Sequence, residues 1–146
     1  MRAKEYLNQI RFLDKEIQSL LEQVSKLRSS LERCTTRITD EPRKTNTGDS
    51  LPDTVSKIIE LENKIDGLAD KQIDLKGHII SKISCMESSL YRTILIHRYI
   101  NFKKWEEIAR TLHYSRAQIN RLHAVALKEF DNKYYTEKFS GRIGGN

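Results

Sequence analysis

At 146 residues the chain has room for one domain or two small ones, and 32% charged residues with only six Gly and two Pro favour helix over most of its length. No apolar run approaches the roughly 20 residues that span a bilayer, so a helical membrane protein is excluded. The net charge of +6 favours a polyanionic partner. The start, MRAKEYLNQI, turns amphipathic at once without a signal-peptide apolar stretch, and a soluble, cytoplasmic protein is expected.

From Ala3 the apolar residues run Tyr6, Ile10, Leu13, Ile17, Leu20, Val24, Leu27, Leu31, Cys34 and Ile38. The steps alternate three and four for five heptads, the signature of a coiled-coil helix. Ile10, Ile17 and Val24 occupy one seam position and Leu13, Leu20 and Leu27 the other. These six residues are the expected oligomerisation surface. Leu7 and Leu21 widen the stripe beyond a strict two-stranded seam, which suits a bundle.

Thr39 to Asp53, with Pro42, Gly48 and Pro52, breaks the pattern and predicts a loop. Ser50 and Asp53 are candidates to cap a second helix with Pro52 in its first turn. That helix is predicted to run to about Cys85, with Ile58, Leu61, Ile65, Leu68, Leu75, Ile79, Ile83 and Met86 on one side. Ile59, Ile73 and Ile80 widen its face. Gln72 stands where an apolar residue is expected and is a candidate for fixing register. Two helices of nearly equal length predict an antiparallel hairpin over residues 1–86, pairing between chains into a homodimer or higher homo-oligomer. A long parallel dimer through the first helix alone is the alternative.

After a polar break at Ser84 to Ser89, Leu90 to Ile100 predicts a third helix, whose Ile94, Leu95 and Tyr99 can close a small core. Asn101-Phe102 ends it. Trp105, Ile108, Ala109 and Leu112 then fall at i, i+3, i+4, i+7, one buried face of a short helix. His113-Tyr114 makes a tight turn, and Ser115 with Gln118 makes a capping box for the next helix. Ile119, Leu122 and Ala126 turn inward, leaving Arg116, Ala117, Asn120, Arg121 and Ala124 outward. Trp105 to Phe130 thus predicts a helix-turn-helix whose second helix has the chemistry to read a DNA groove. Arg116 and Arg121 can each bond guanine O6/N7, and Gln118 or Asn120 can bond adenine. Lys103, Lys104, Arg110 and Ser115 are placed for phosphates. Trp105 and Tyr114 are expected in the core.

Charge follows the same division. Residues 87–130 carry eight Lys/Arg against four Asp/Glu, whereas residues 51–86 carry five against six. The basic excess therefore coincides with the predicted DNA-binding domain at 87–130, and residues 131–146 are expected to fray as a tail. Cys34 and Cys85 lack any metal-ligand spacing and are expected to be reduced and packed. The four histidines form no i, i+4 pair. With no phosphate loop or nucleophile elbow either, neither enzyme activity nor cofactor nor metal is expected.

The stretch YRTILIHRYINFKKWEEIARTLHYSRAQINRLHAVALKEF resembles the DNA-binding region four of bacterial sigma factors. The shared features are Arg98-Tyr99, Glu107-Ile108-Ala109, Leu112, the Ser115 cap, Ile119 and Ala126-Leu127. With the opening AKEYLNQIRFLDKEI and the predicted hairpin, the chain resembles sigma-region-four-like regulators from phages of Gram-positive bacteria, of the ArpU and RinA late-activator type. The resemblance implies an all-α protein with a coiled-coil hairpin followed by a sigma-region-four-like helix-turn-helix. It also implies double-stranded DNA as partner in the bacterial host, contact with host RNA polymerase as a further possibility, and Arg116, Ala117, Gln118, Asn120 and Arg121 as base-reading positions. Ala117 stands where primary sigma factors carry an acidic residue, and Asn120 where they carry arginine, so their promoter element does not transfer. The promoter-melting regions have no counterpart. Two other classes fit the pattern less well: a small terminase-like packaging protein, which usually puts its DNA-binding motif first, and a coiled-coil adaptor contacting polymerase.

Overall fold

The computed structural model describes residues 2–37 and 51–136; of the loop expected at Thr39 to Asp53, residues 39–50 with the Ser50 cap lie outside them, and Leu51 to Asp53 are already helical. Apart from three short connections the described residues are helical, and there is no strand among them. They form α1 (Arg2–Arg37), α2 (Leu51–Ser84), α3 (Ser89–Leu95), α4 (Trp105–Leu112) and α5 (Arg116–Asp131). Ile96–Ile100 continues α3 as a π-helical turn, and Asn132–Thr136 continues α5 in the same way. No described helix is long and apolar enough to cross a membrane.

Two compact units divide the chain, and the cut passes through α1 and α2. Leu13–Gln72 form one unit, in which α1 and α2 run antiparallel: Arg28 bonds Glu62, and Gln72 Nε2 lies 3.5 Å from Asp14 Oδ1. Gln72, the polar interruption, thus meets a polar group across the pair. Ile17, Val24, Thr54 and Ile58 are the buried residues described here. The β-branched row of α1 is therefore covered by the chain's own α2, whereas Leu13, Leu20 and Leu27 stay half-buried.

The second unit joins the ends of α1 and α2 to the described residues that follow, so the boundary expected at residue 86 does not separate compact units. Its larger core holds Ala3, Leu7 and Ile10 of α1, Ile79 and Ile83 of α2, Met86, Leu95, Tyr99, and Ala126, Leu127 and Phe130 of α5. Ile10, expected at an oligomer seam, is fully buried inside this core. A smaller core gathers Ile94, Ile108, Ala109 and Ile119, with Trp105 and Leu122 packed on it. Adjacent positions of α3 point to different cores, Ile94 to the smaller and Leu95, with Tyr99 of the π turn, to the larger. The α3 segment is therefore a wedge rather than the lid of one core.

Local contacts fix the joints. Asp131 Oδ1 accepts from the Ala3 N–H at 2.8 Å, so the end of α5 caps the start of α1, where a carboxylate also meets the positive end of the helix dipole. At the break after α2 the Arg92 guanidinium donates to the carbonyls of Met86 and Glu87, and Ser88 caps α3. The expected tail begins as ordered helix instead. Tyr134 packs 4.8 Å from the Phe130 ring and donates to the Lys82 carbonyl, because the apolar face of α5 continues past Asp131. Cys34 and Cys85 are exposed rather than packed: the Cys85 turn follows the last core turn of α2, and Cys34 lies off the covered row of α1.

Candidate nucleic-acid interface

The connection from α4 to α5 is three residues long and held by backbone bonds. The Tyr114 N–H reaches the Ala109 carbonyl at 3.0 Å and the His113 N–H reaches Arg110 at 3.4 Å, a Schellman closure of α4. His113 sits at φ 60 in the left-handed region, where a Cβ is disfavoured by about 1–2 kcal/mol. His113→Gly is expected to raise stability by about 0.5–1 kcal/mol after the extra entropy of an unfolded glycine is subtracted, read as a higher urea midpoint. A lower midpoint would mean that the imidazole itself holds the turn. Tyr114 is exposed, contrary to the core position expected for it, since this turn carries it past the last covered residue of α4.

The helix α5 opens with the expected capping box. Gln118 N–H donates to Ser115 Oγ at 3.1 Å, and Ser115 N–H donates to Gln118 Oε1 at 3.0 Å. Both side chains thus serve the helix start, which weakens Gln118 as a base reader. Ile119, Ala126, Leu127 and Phe130 are buried beneath. Ala117, Asn120, Arg121, Ala124 and Lys128 are exposed and follow one another at helical spacing on the opposite face. Lys128 was not singled out by sequence, although its seven-residue offset from Arg121 marks it. Small residues alternate with long donors along this face, so another surface can approach the backbone closely while Asn120, Arg121 and Lys128 reach past it.

Arg116 does not share that disposition. Its Nη1 lies 3.2 Å from Glu106 Oε1, and its guanidinium stands 5.6 Å from the centre of the Trp105 ring. The Glu106 carboxyl is held below the usual range first by a backbone N–H, its own, and then by Arg116. Lys103 is half-buried beside the π turn, and its carbonyl accepts from Arg98 at 3.1 Å. Lys104 and Arg110 are exposed, on the N-cap and last turn of α4.

Behind the outward face lies a cluster that sequence reasoning left scattered. Trp105 is packed, as expected, with the Arg98 guanidinium 4.4 Å over its ring and the His123 ring edge-on at 4.5 Å. His123 Nε2 is 2.8 Å from the Tyr99 hydroxyl. Burial lowers His123 to about 4, helped by Lys4 and Arg98, and raises Tyr99 to about 12. Both groups are therefore neutral at pH 7, and the phenol can donate to the ring nitrogen. His97 is pushed down by burial and then by Lys103, and its Nδ1 is buried with no hydrogen-bond partner. No family model, curated protein or solved structure matches this chain.

Proposed function

We propose that the chain is a sequence-specific DNA-binding transcription regulator of the phage sigma-region-four-like kind, with α4 and α5 as its helix-turn-helix and α5 in the major groove. It acts as a dimer built on the antiparallel α1–α2 hairpin, and host RNA polymerase is its second candidate partner. The observation that carries the reading is the outward face of α5, where exposed Asn120, Arg121 and Lys128 are interleaved with Ala117 and Ala124. Alanines let a helix sit deep in a groove, and arginine and asparagine supply the paired bonds that distinguish guanine and adenine. The concentration of positive charge on residues 87–130 supports the same partner through counterion release. Within this reading Arg121 and Asn120 read bases, Lys128 takes a phosphate or an edge base, and Lys104 and Arg110 position the backbone. Arg116, engaged with Glu106 and Trp105, ties α5 to α4 and is a candidate phosphate contact rather than a base reader.

The test is fluorescence anisotropy on a duplex selected by the parent protein from a randomised pool. Arg121→Ala is expected to cost about 1–3 kcal/mol on that duplex and to relax preference at one base pair. Lys104→Ala should weaken all duplexes alike and lower the salt slope by about one. An Arg121→Ala protein with the parent's full sequence preference sinks the groove assignment.

A further inference from the structure

We propose that the face of the Leu13–Gln72 unit bearing Leu13, Leu20 and Leu27 of α1 with Leu61 and Leu68 of α2 is where a second copy of this chain docks, α1 of one copy lying over α2 of the other. The proposal deepens the dimeric reading above by naming its surface.

A lone pair of helices covers only the strip where they touch. Here that strip holds Ile17, Val24 and Ile58; Thr54 is buried at the start of the α2 leucine row, and the five leucines remain half-buried. Each leucine row repeats at sevens, so each is straight along its helix and both fall on one side of the pair. The opposite side also carries exposed Leu21, Val55 and Ile59, but there Arg28 is bonded to Glu62 and Asp66 lies beside them. Covering that side would strip water from an ion pair already made within the chain and from a carboxylate, whereas the charges flanking the leucines are placed to pair with those of a second copy. Twenty residues of each helix at about 1.5 Å per residue, two helices wide, present about 600 Å², on the scale of the about 800 Å² per partner in a standard interface.

Charge selects a second copy and its orientation. Flanking the α2 leucines, Lys57, Lys64 and Lys71 recur at sevens; flanking the α1 leucines at the same spacing stand Glu16, Gln23 and Ser30, and all six are exposed. The contacts Asp14–Gln72 and Arg28–Glu62 set Glu16 level with Lys71, Gln23 with Lys64 and Ser30 with Lys57. A two-fold axis across the helices would set each lysine row against the same row of its partner. A two-fold axis parallel to the helices instead sets the lysine row against the Glu16 row, with Glu16 facing Lys71 of the other copy twice per dimer. The flanks are thus complementary to themselves in one arrangement only.

Sedimentation velocity on the full chain tests this. The parent is expected to dimerise, and Leu20→Lys to raise the dissociation constant about a hundred-fold, with helicity checked by circular dichroism. Glu16→Lys and Lys71→Glu each should weaken the dimer about five-fold, and the double exchange should return it to within about two-fold of the parent. These two side chains are exposed, so their exchange leaves the fold intact. A parent that stays monomeric at about 100 µM overturns the proposal, as does a double variant no tighter than the singles. A dimer that obeys the exchange yet binds no duplex leaves this surface standing and removes the DNA-binding reading; a DNA-binding monomer does the reverse.

Discussion

Phe130→Ala is expected to destabilise the unit that carries α5 by about 3–5 kcal/mol, since Phe130 is the largest fully buried side chain among the described residues. The side chain is fully buried in the last turns of α5, among Leu7 and Ile10 of α1 and Ile79 and Ile83 of α2. Its ring lies 6.2 Å from that of Tyr6 and 4.8 Å from that of Tyr134, so removal also breaks two aromatic contacts. These neighbours come from α1, α2 and the turn that continues α5, and cannot all collapse into the vacated volume. Trp105 is the single tryptophan and lies in the same unit, so its fluorescence in a urea titration reads the loss directly. The midpoint should fall with little change in slope. A loss below about 1 kcal/mol would mean that the site refills and that Phe130 is not the hinge between α5 and the ends of α1 and α2.

The elements of this fold were largely visible in the sequence, because periodicity and caps are local. The alternation of threes and fours marks α1 without a break, and the Ser115-Gln118 box forms as its spacing requires. Partners were less visible. A heptad row specifies that a stripe must be covered and not by what: Ile10 is covered by the core beneath α5, Ile17 and Val24 within the α1–α2 pair, and the leucines between them only by half. The same limit applies to α3, where periodicity groups Ile94 with Leu95 and Tyr99 although the two cores lie on different sides of the helix.

At the candidate interface, the outward face of α5 followed from helical register, but the tie from Arg116 to Glu106 depends on how α4 crosses α5, which no local pattern encodes. His123 is an intermediate case. It lies four residues after Ile119 and three before Ala126, an inward register that sequence already contains. Its polarity hides that register unless a buried hydroxyl is expected nearby, and Tyr99 supplies it.

Stability of this unit is expected to fall by about 2 kcal/mol as the pH drops from about 6.5 toward 4, through His123 above all. In the unfolded chain the ring takes its ordinary value of 6.5, whereas in the fold burial holds it at about 4, with Lys4 and Arg98 adding repulsion. The unfolded state therefore binds the proton more readily, so the contribution is whole above pH 6.5 and is lost progressively as pH falls to the folded value. The full shift would exceed 3 kcal/mol; the ring keeps some access to solvent, and the smaller figure allows for that screening. His123→Gln retains an acceptor for the Tyr99 hydroxyl but does not titrate. Its urea midpoint should lie below the parent's at pH 7.5 and decline less between pH 6.5 and 4.5. His97, shifted the same way by burial and Lys103, accounts for the slope that remains. Equal slopes in parent and variant would place the acid sensitivity elsewhere. Because His123 stands edge-on to Trp105 and bonds Tyr99, its protonation would push a charge between α5 and the π turn that supports it. Binding to the selected duplex should therefore weaken at the acid end along with stability, and His123→Gln should lessen both losses together.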